Sequence, residues 1–154
     1  MLDEYYMDLA LKEAREAAVR GEVPVGALLV LEGQIYSNKG NTKEAEFNPT
    51  AHAEVLALEH ACESLRNWRL NGATLYVTVE PCLMCTGAIY LARVSKVVFG
   101  CKNPKGGAMS RVQAQEADFG VNHHVEIVGG VREMESARLL KDFFKARRDE
   151  KKEN

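Results

Sequence analysis

The residues of this chain best suited to chemistry are His52 and Glu54, in Thr50-Ala51-His52-Ala53-Glu54, and Cys82 and Cys85, in Pro81-Cys82-Leu83-Met84-Cys85. Two cysteines separated by two residues at a helix start aim both sulfurs at one point, and the helix dipole favours their thiolate forms. Pro81 suits the first turn of such a helix, where its missing N–H is harmless. One imidazole and two thiolates supply three zinc ligands and leave a fourth tetrahedral position for water, which is the arrangement of a catalytic site and not of a closed structural one. Two thiolates neutralise most of the ion's charge, so it polarises water less than an all-histidine site would and a nearby base must help. Glu54, two residues beyond His52, is the candidate for that proton transfer.

Taken alone, the Cys82/Cys85 pair is also compatible with a redox dithiol or with half of a structural zinc site. Joined to H-x-E on another helix, P-C-x-x-C matches the signature of the zinc nucleobase deaminases. Cys62 lies on the apolar stripe of a helix and Cys101 ends a strand, so both read as small core residues, with Cys101 as a fourth ligand the weaker alternative. His60 reads as packing or surface, and the roles of His123 and His124 stay open.

These side chains need a scaffold, and the pattern of the chain supplies one. Tyr6, Leu9, Ala10, Ala14, Ala17 and Ala18 recur at helical spacing between residues 3 and 20, with Gly21 as a stop. Val25 to Leu31 is an apolar run, Glu32-Gly33 a turn, and Gln34 to Ser37 a returning strand. A loop from Asn38 to Pro49 leads to a helix over Thr50 to Leu65. Thr74 to Val79 predicts a strand stopped at Pro81, Cys82 to Ala92 a helix, and Lys96 to Gly100 a strand. Cys101 to Gly120 is Gly-rich and irregular, with one helical turn near Val112 to Ala117, a length of loop that in a compact fold is usually functional. Val125 to Val128 closes the strands, and a basic helix occupies about residues 131–150. This order predicts a single α/β domain over residues 1–154, a mixed sheet with helices on both faces.

The 154 residues include 20 Lys plus Arg against 22 Asp plus Glu, and 46% are hydrophobic. That composition excludes collagen-like, disordered and low-complexity classes and lets one core form without disulfide staples. The longest apolar stretch is too short for a membrane span, and the acidic start lacks the layout of a secretory signal, so a cytoplasmic location is expected. In that reducing compartment a close cysteine pair binds metal or cycles redox state more often than it forms a structural disulfide. Charge is uneven: Arg138 to Lys152 holds seven bases and three acids, a net of +4. Such a tail suits phosphate, although cations also suit the negative end of a helix dipole.

At these motifs the chain resembles the bacterial tRNA-specific adenosine deaminases of the cytidine deaminase-like superfamily. The similarity runs from about Tyr6 to Arg148 and includes Glu22-Val23-Pro24-Val25-Gly26, Asn41, Asn48 to Glu54, Asn67-Trp68-Arg69-Leu70, Ala73 to Cys82, Val97 to Gly100, Asn122-His123 and Phe143 to Arg148. The resemblance implies a three-layer α-β-α cytidine deaminase-like fold with a central five-stranded sheet, one Zn2+ per subunit between two helix N-termini, and a homodimer that presents a joint tRNA surface. It implies conversion of adenosine to inosine at the wobble position of an anticodon loop, whose unpaired bases can be splayed into a pocket.

On the same resemblance Glu54 moves the protons, Asn41 hydrogen-bonds the purine, and the N–H groups of Ala53 and Cys82 hold the attacking oxygen. Val25 and Pro24 wall the base, Asn122 and His123 approach the flipped nucleotides, and Phe144, Lys145, Arg147 and Arg148 line the path of the stem-loop. Asn103-Pro104-Lys105 stands where the family often has Asp-Pro-Lys, which replaces a carboxylate facing the ribose by an amide and loosens discrimination of RNA from DNA. The segment Gly106 to Val112 also departs from the family, as does His124, where Arg is common. Two other functions compete: deamination of free guanine, cytosine or a nucleoside, which leaves the basic helix unexplained, and a non-enzymatic zinc module, which needs four protein ligands and no Glu54.

Overall fold

Along the central strands, alternate residues project to opposite sides, and the sequence fills both sides with apolar groups. Ala27, Leu29, Leu75, Val77, Val97 and Phe99 face one core, whereas Leu28, Val30, Tyr76 and Val98 face another. Burial on both faces requires a helical cover on both, and the computed structural model, which describes residues 2–153, shows that arrangement.

The strands are β1 (Gly26–Leu31), β2 (Gln34–Gly40), β3 (Thr74–Val79), β4 (Lys96–Cys101) and β5 (Glu126–Val128). They form one sheet in the order β2-β1-β3-β4-β5. β1 is antiparallel to β2 and to β3, while β3 to β4 and β4 to β5 are parallel. Helices α2 (Ala53–Leu65), α3 (Leu83–Leu91) and the short α4 (Met109–Gln113) pack on the first core, and α1 (Leu2–Val19) and α5 (Glu133–Glu153) cover the other face. This is the three-layer α-β-α architecture with a five-stranded mixed sheet. α1 approaches β1 so closely that a Cβ on Gly26 would collide with the carbonyl oxygen of Ala10, and that is why glycine opens the strand.

Several strand and helix ends differ from the sequence expectation by a residue or two, and four differences are larger or have a clear cause. β2 continues through Asn38 and Lys39 to Gly40, because β1 offers ladder partners over its whole length, from Leu31↔Gln34 to Gly26↔Gly40. α2 starts at Ala53 and not at Thr50, since the Asn48 side chain accepts the Thr50 N–H at 3.0 Å and so holds a turn that competes with helix. The irregular segment after β4 contains α4 and a 3-10 turn at Glu116–Phe119 in place of one helical turn near residues 112–117. α5 starts at Glu133 and runs past residue 150 to Glu153. Among the described residues no helix is long and apolar enough to cross a membrane.

Parallel strands with helical crossovers leave the carboxyl ends of β3 and β4 along one edge of the sheet. β3 ends at Val79, the Glu80 N–H bonds the Cys101 carbonyl at 2.8 Å, and Pro81 leads directly into α3. The start of α2 packs beside it.

Candidate metal centre and base pocket

His52 is the N-cap of α2 and Cys82 the N-cap of α3, and both have extended backbone (φ −78°, ψ 149° and φ −72°, ψ 176°) with no side-chain capping bond. Each side chain is therefore free to turn toward the other helix. The His52 Nδ1 lies 3.6 Å from the Cys82 Sγ and 3.5 Å from the Cys85 Sγ. These separations match the edges of a tetrahedron, about 3.5–3.8 Å, that Zn–N and Zn–S bonds of normal length impose. Among the described residues this trio is the one His/Cys/Asp/Glu group whose ligand atoms all lie within 4.8 Å of one another. Donor chemistry and spacing thus fit a zinc ion with one position left over. All four cysteines are free, and neither Cys62 nor Cys101 belongs to the cluster.

The electrostatics of the trio favour a cation. A hydrogen bond from Cys85 pulls the Cys82 thiol down to about 4 against the effect of burial, and His52 adds to that pull. Cys85, which supplies that hydrogen bond and is itself buried, is pushed far up. The hydrogen bond to Cys82 raises His52 above its ordinary value, against partial desolvation. Both helix N-termini point their positive dipole ends at this concentration of sulfur.

Glu54 occupies the first turn of α2 and is only 4% exposed. Burial raises its carboxyl to about 7, although its own backbone N–H and the His52 charge hold it down in part. A carboxyl group near neutrality can take up and release a proton within one catalytic cycle.

Beside the trio lies a cavity of about 160 Å³ lined by Val25, Asn41, His52, Glu54, Cys82 and Asn103, and further by Val23, Lys43, Val79 and Glu80. Asn41 is fully engaged on one side: its Oδ1 accepts the Ala53 N–H at 2.7 Å, its carbonyl accepts Arg20 Nη2 at 3.2 Å, and its own N–H bonds the Val25 carbonyl at 3.3 Å. Its Nδ2 is left as the group available to a ligand. The Ala53 N–H is thereby committed to Asn41, which corrects the expectation that it holds the attacking oxygen. Asn103 Oδ1 accepts the Lys105 and Gly106 N–H groups, each at 3.2 Å, and so builds its own turn.

Several expected contacts lie elsewhere. Pro24 is buried and does not line the cavity; Val23 and Val25 wall it instead, on either side of a tight turn closed by the Val25 N–H on the Val23 carbonyl at 2.9 Å. Lys105 is exposed on the loop beyond Asn103. Asn122 is exposed, whereas His123 turns inward, its Nε2 2.8 Å from the Val94 carbonyl and its ring edge-on to Tyr90. Phe144, Lys145 and Arg148 are exposed on α5, away from the cavity lining. Arg147 stacks on Phe143 and donates through Nη2 to the Gly21 carbonyl at 2.5 Å, so its guanidinium docks α5 onto the end of α1. Lys43, Glu80, Val23 and Val79 escaped the sequence reading as pocket residues. Their one signal was adjacency to a motif, Val79 and Glu80 before Pro81 and Lys43 after Asn41.

The family model for the MafB19-like deaminases matches residues 1–148. The tRNA-specific adenosine deaminase of Bacillus subtilis (strain 168) is 49% identical over 150 residues, covering 97% of this chain and 93% of that protein. A solved tRNA:A34 deaminase, studied for A-to-I editing at the wobble position of transfer RNA, superposes with a TM-score of 0.84 at 43% identity, over 88% of this chain and 99% of its own. The guanine deaminase of Bacillus subtilis is also similar, with a TM-score of 0.63 at 34% identity over 77% of this chain and 69% of its own.

Proposed function

Because the chain belongs to the tRNA-specific adenosine deaminases, we propose that it hydrolyses adenosine to inosine and ammonia at the wobble position of a tRNA anticodon loop, with one zinc ion per subunit. The observation that carries this reading is the clustering of His52, Cys82 and Cys85 beside a small cavity that His52, Cys82 and Glu54 line. His52, Cys82 and Cys85 would hold the ion, which supplies Lewis acidity toward water when bound. Glu54 takes one proton from the attacking water and delivers it to a purine ring nitrogen, then takes the remaining proton of that oxygen and passes it to the amine, which departs as ammonia as C6 becomes a carbonyl. Its burial keeps the carboxyl close enough to neutrality to do both. Asn41 Nδ2 donates to the purine, and the Val23 and Val25 side chains exclude water from the face of the base.

The substrate is RNA on this reading, with the exposed Lys145 and Arg148 of α5 and Phe144, Asn122 and Lys105 as contacts outside the pocket. The protein acts in the cytoplasm, as one deaminase domain over residues 1–154, and pairs as a homodimer. Support for pairing comes from α3, whose nine residues include no charge and whose Leu83 and Leu91 are 63% and 72% exposed.

Single-turnover conversion of an anticodon stem-loop RNA tests the reading, comparing the parent with Glu54→Ala at equal zinc content. Inosine at the wobble position with the parent alone is expected. A zinc-loaded parent that makes none from any anticodon loop, yet releases ammonia from free guanine at a salt-independent rate, would overturn it in favour of a free-base deaminase.

A further inference from the structure

Glu22 stands just before β1 with its side chain 1% exposed, remote from the metal trio in sequence and unused by the chemistry above. Its Oε1 accepts the Glu44 N–H and its Oε2 accepts the Ala45 N–H, both at 2.9 Å. These amides lie at the tip of the turn that joins β2 to α2. The turn is otherwise tied largely to itself, through Glu46 N–H to the Thr42 carbonyl and Asn48 N–H to the Lys43 carbonyl, both at 3.0 Å. Its start is held at Asn41 by Val25, Arg20 and Ala53, and Thr42 N–H bonds the Ala51 carbonyl at 3.1 Å. Lys43, on this turn, lines the cavity.

A carboxylate that accepts two consecutive amides fixes both the position and the tilt of the backbone that carries them. Glu22 is itself held, because its N–H bonds the Ala17 carbonyl at 2.9 Å. We infer that Glu22 is a positioning residue: its buried carboxylate pins the Lys43–Ala45 turn so that the Lys43 ammonium stands at the pocket mouth, where it meets a phosphate flanking the flipped nucleotide. Asn41 does not depend on this clamp, being fixed by Ala53, Arg20 and Val25. The clamp therefore governs how RNA is held and leaves the bond-making step alone.

The inference rests on the RNA reading and separates from it by experiment. Glu22→Gln keeps the shape but replaces one acceptor with a donor aimed at an N–H. Steady-state kinetics on an anticodon stem-loop, zinc content and amide exchange are measured for the parent, E22Q, K43A and the double variant. Expected are faster exchange at Glu44 and Ala45, KM raised about tenfold, kcat within about twofold, and unchanged zinc. K43A should raise KM similarly, and the double variant should be no worse than either single one. A parent-like KM in K43A overturns the inference even if E22Q fails to fold. So does E22Q with freed amides and parent-like KM, or with kcat and zinc lost together, which marks a general structural role. A parent inactive on every stem-loop defeats the RNA reading instead.

Discussion

The Oδ1 of Asn41 accepts the backbone N–H of Ala53 at 2.7 Å, so the residue beside the candidate metal ligand His52 is tied to the strand end that forms the opposite wall of the pocket. This bond fixes the amide orientation: Oδ1 is held on the Ala53 N–H, and Nδ2 is the donor left for a ligand.

Asn41→Asp keeps the acceptor, removes the donor and places a negative charge near Glu54. Turnover on an anticodon stem-loop should fall about 100-fold or more, with little change in thermal stability. Asn41→Ala leaves the Ala53 N–H without its partner, and chemical denaturation should show a loss of about 1–3 kcal/mol. Parent-like turnover in Asn41→Asp would show that Nδ2 plays no part.

Metal removal should cost stability as well as activity, because the starts of α2 and α3 meet at the site through His52, Cys82 and Cys85. Dialysis against a chelator should lower Tm by about 5–10 °C and abolish turnover, and stoichiometric zinc should restore both. Cys85→Ser should show low metal content and no such response to zinc.

Gly107 sits where a Cβ would lie 2.5 Å from Glu80 Oε1 and 2.8 Å from the Asn103 carbonyl oxygen. Glu80 also accepts the Ser110 N–H at 2.9 Å, so Gly107→Ala would push the Asn103–Ser110 loop off its anchor. The expected cost is about 1–3 kcal/mol by denaturation, with a raised KM for RNA and normal zinc content. A variant with parent stability would show that the loop yields freely.

Glu116 ties three segments together: it accepts the Tyr90 O–H at 2.6 Å, His124 Nδ1 at 2.8 Å and the Val125 N–H at 3.0 Å. Desolvation pushes its carboxyl up, but these hydrogen bonds outweigh it and hold the group below its ordinary value of 4.5. A carboxyl lowered by folding contributes stability that is present above its unfolded pKa and is lost as pH falls through the folded one. The stability gap between the parent and Glu116→Gln should therefore be widest above the ordinary carboxyl value and close as the pH is taken well below it. A gap that stays constant across that range in urea titrations would assign the effect to shape alone.

If α3 pairs two copies, charges on its bare face should separate them. Leu83→Glu with Leu91→Lys should shift the sedimenting species from twice 17.1 kDa to 17.1 kDa at micromolar concentration. An unchanged dimer would move the interface to another surface.

Much of the site was legible in one dimension. Both ligand motifs are short and each lies near the start of a helix, so their residue types and spacing could be read directly; that His52 and Cys82 are N-caps with extended backbone and no capping bond is a result of the structure. The continuous apolar run from Val25 to Leu31 likewise announced a strand buried on both faces. What escaped were contacts between distant segments. Glu22 and the Glu44 and Ala45 amides are more than 20 residues apart, and Arg147 meets Gly21 across 126. A charged residue in sequence looks the same whether it faces water, RNA or a backbone amide.

The sequence by itself determined which atoms could bind a metal, which carboxyl stood beside them, and which stretches would be helix or strand, because those depend on residue type and spacing within a few turns. Only the tertiary structure decided that Val23 walls the pocket while Pro24 is buried, that the Ala53 N–H belongs to Asn41, and that Arg147 docks a helix. Those assignments depend on which of several competing partners a buried polar group meets, and that is settled by packing in three dimensions.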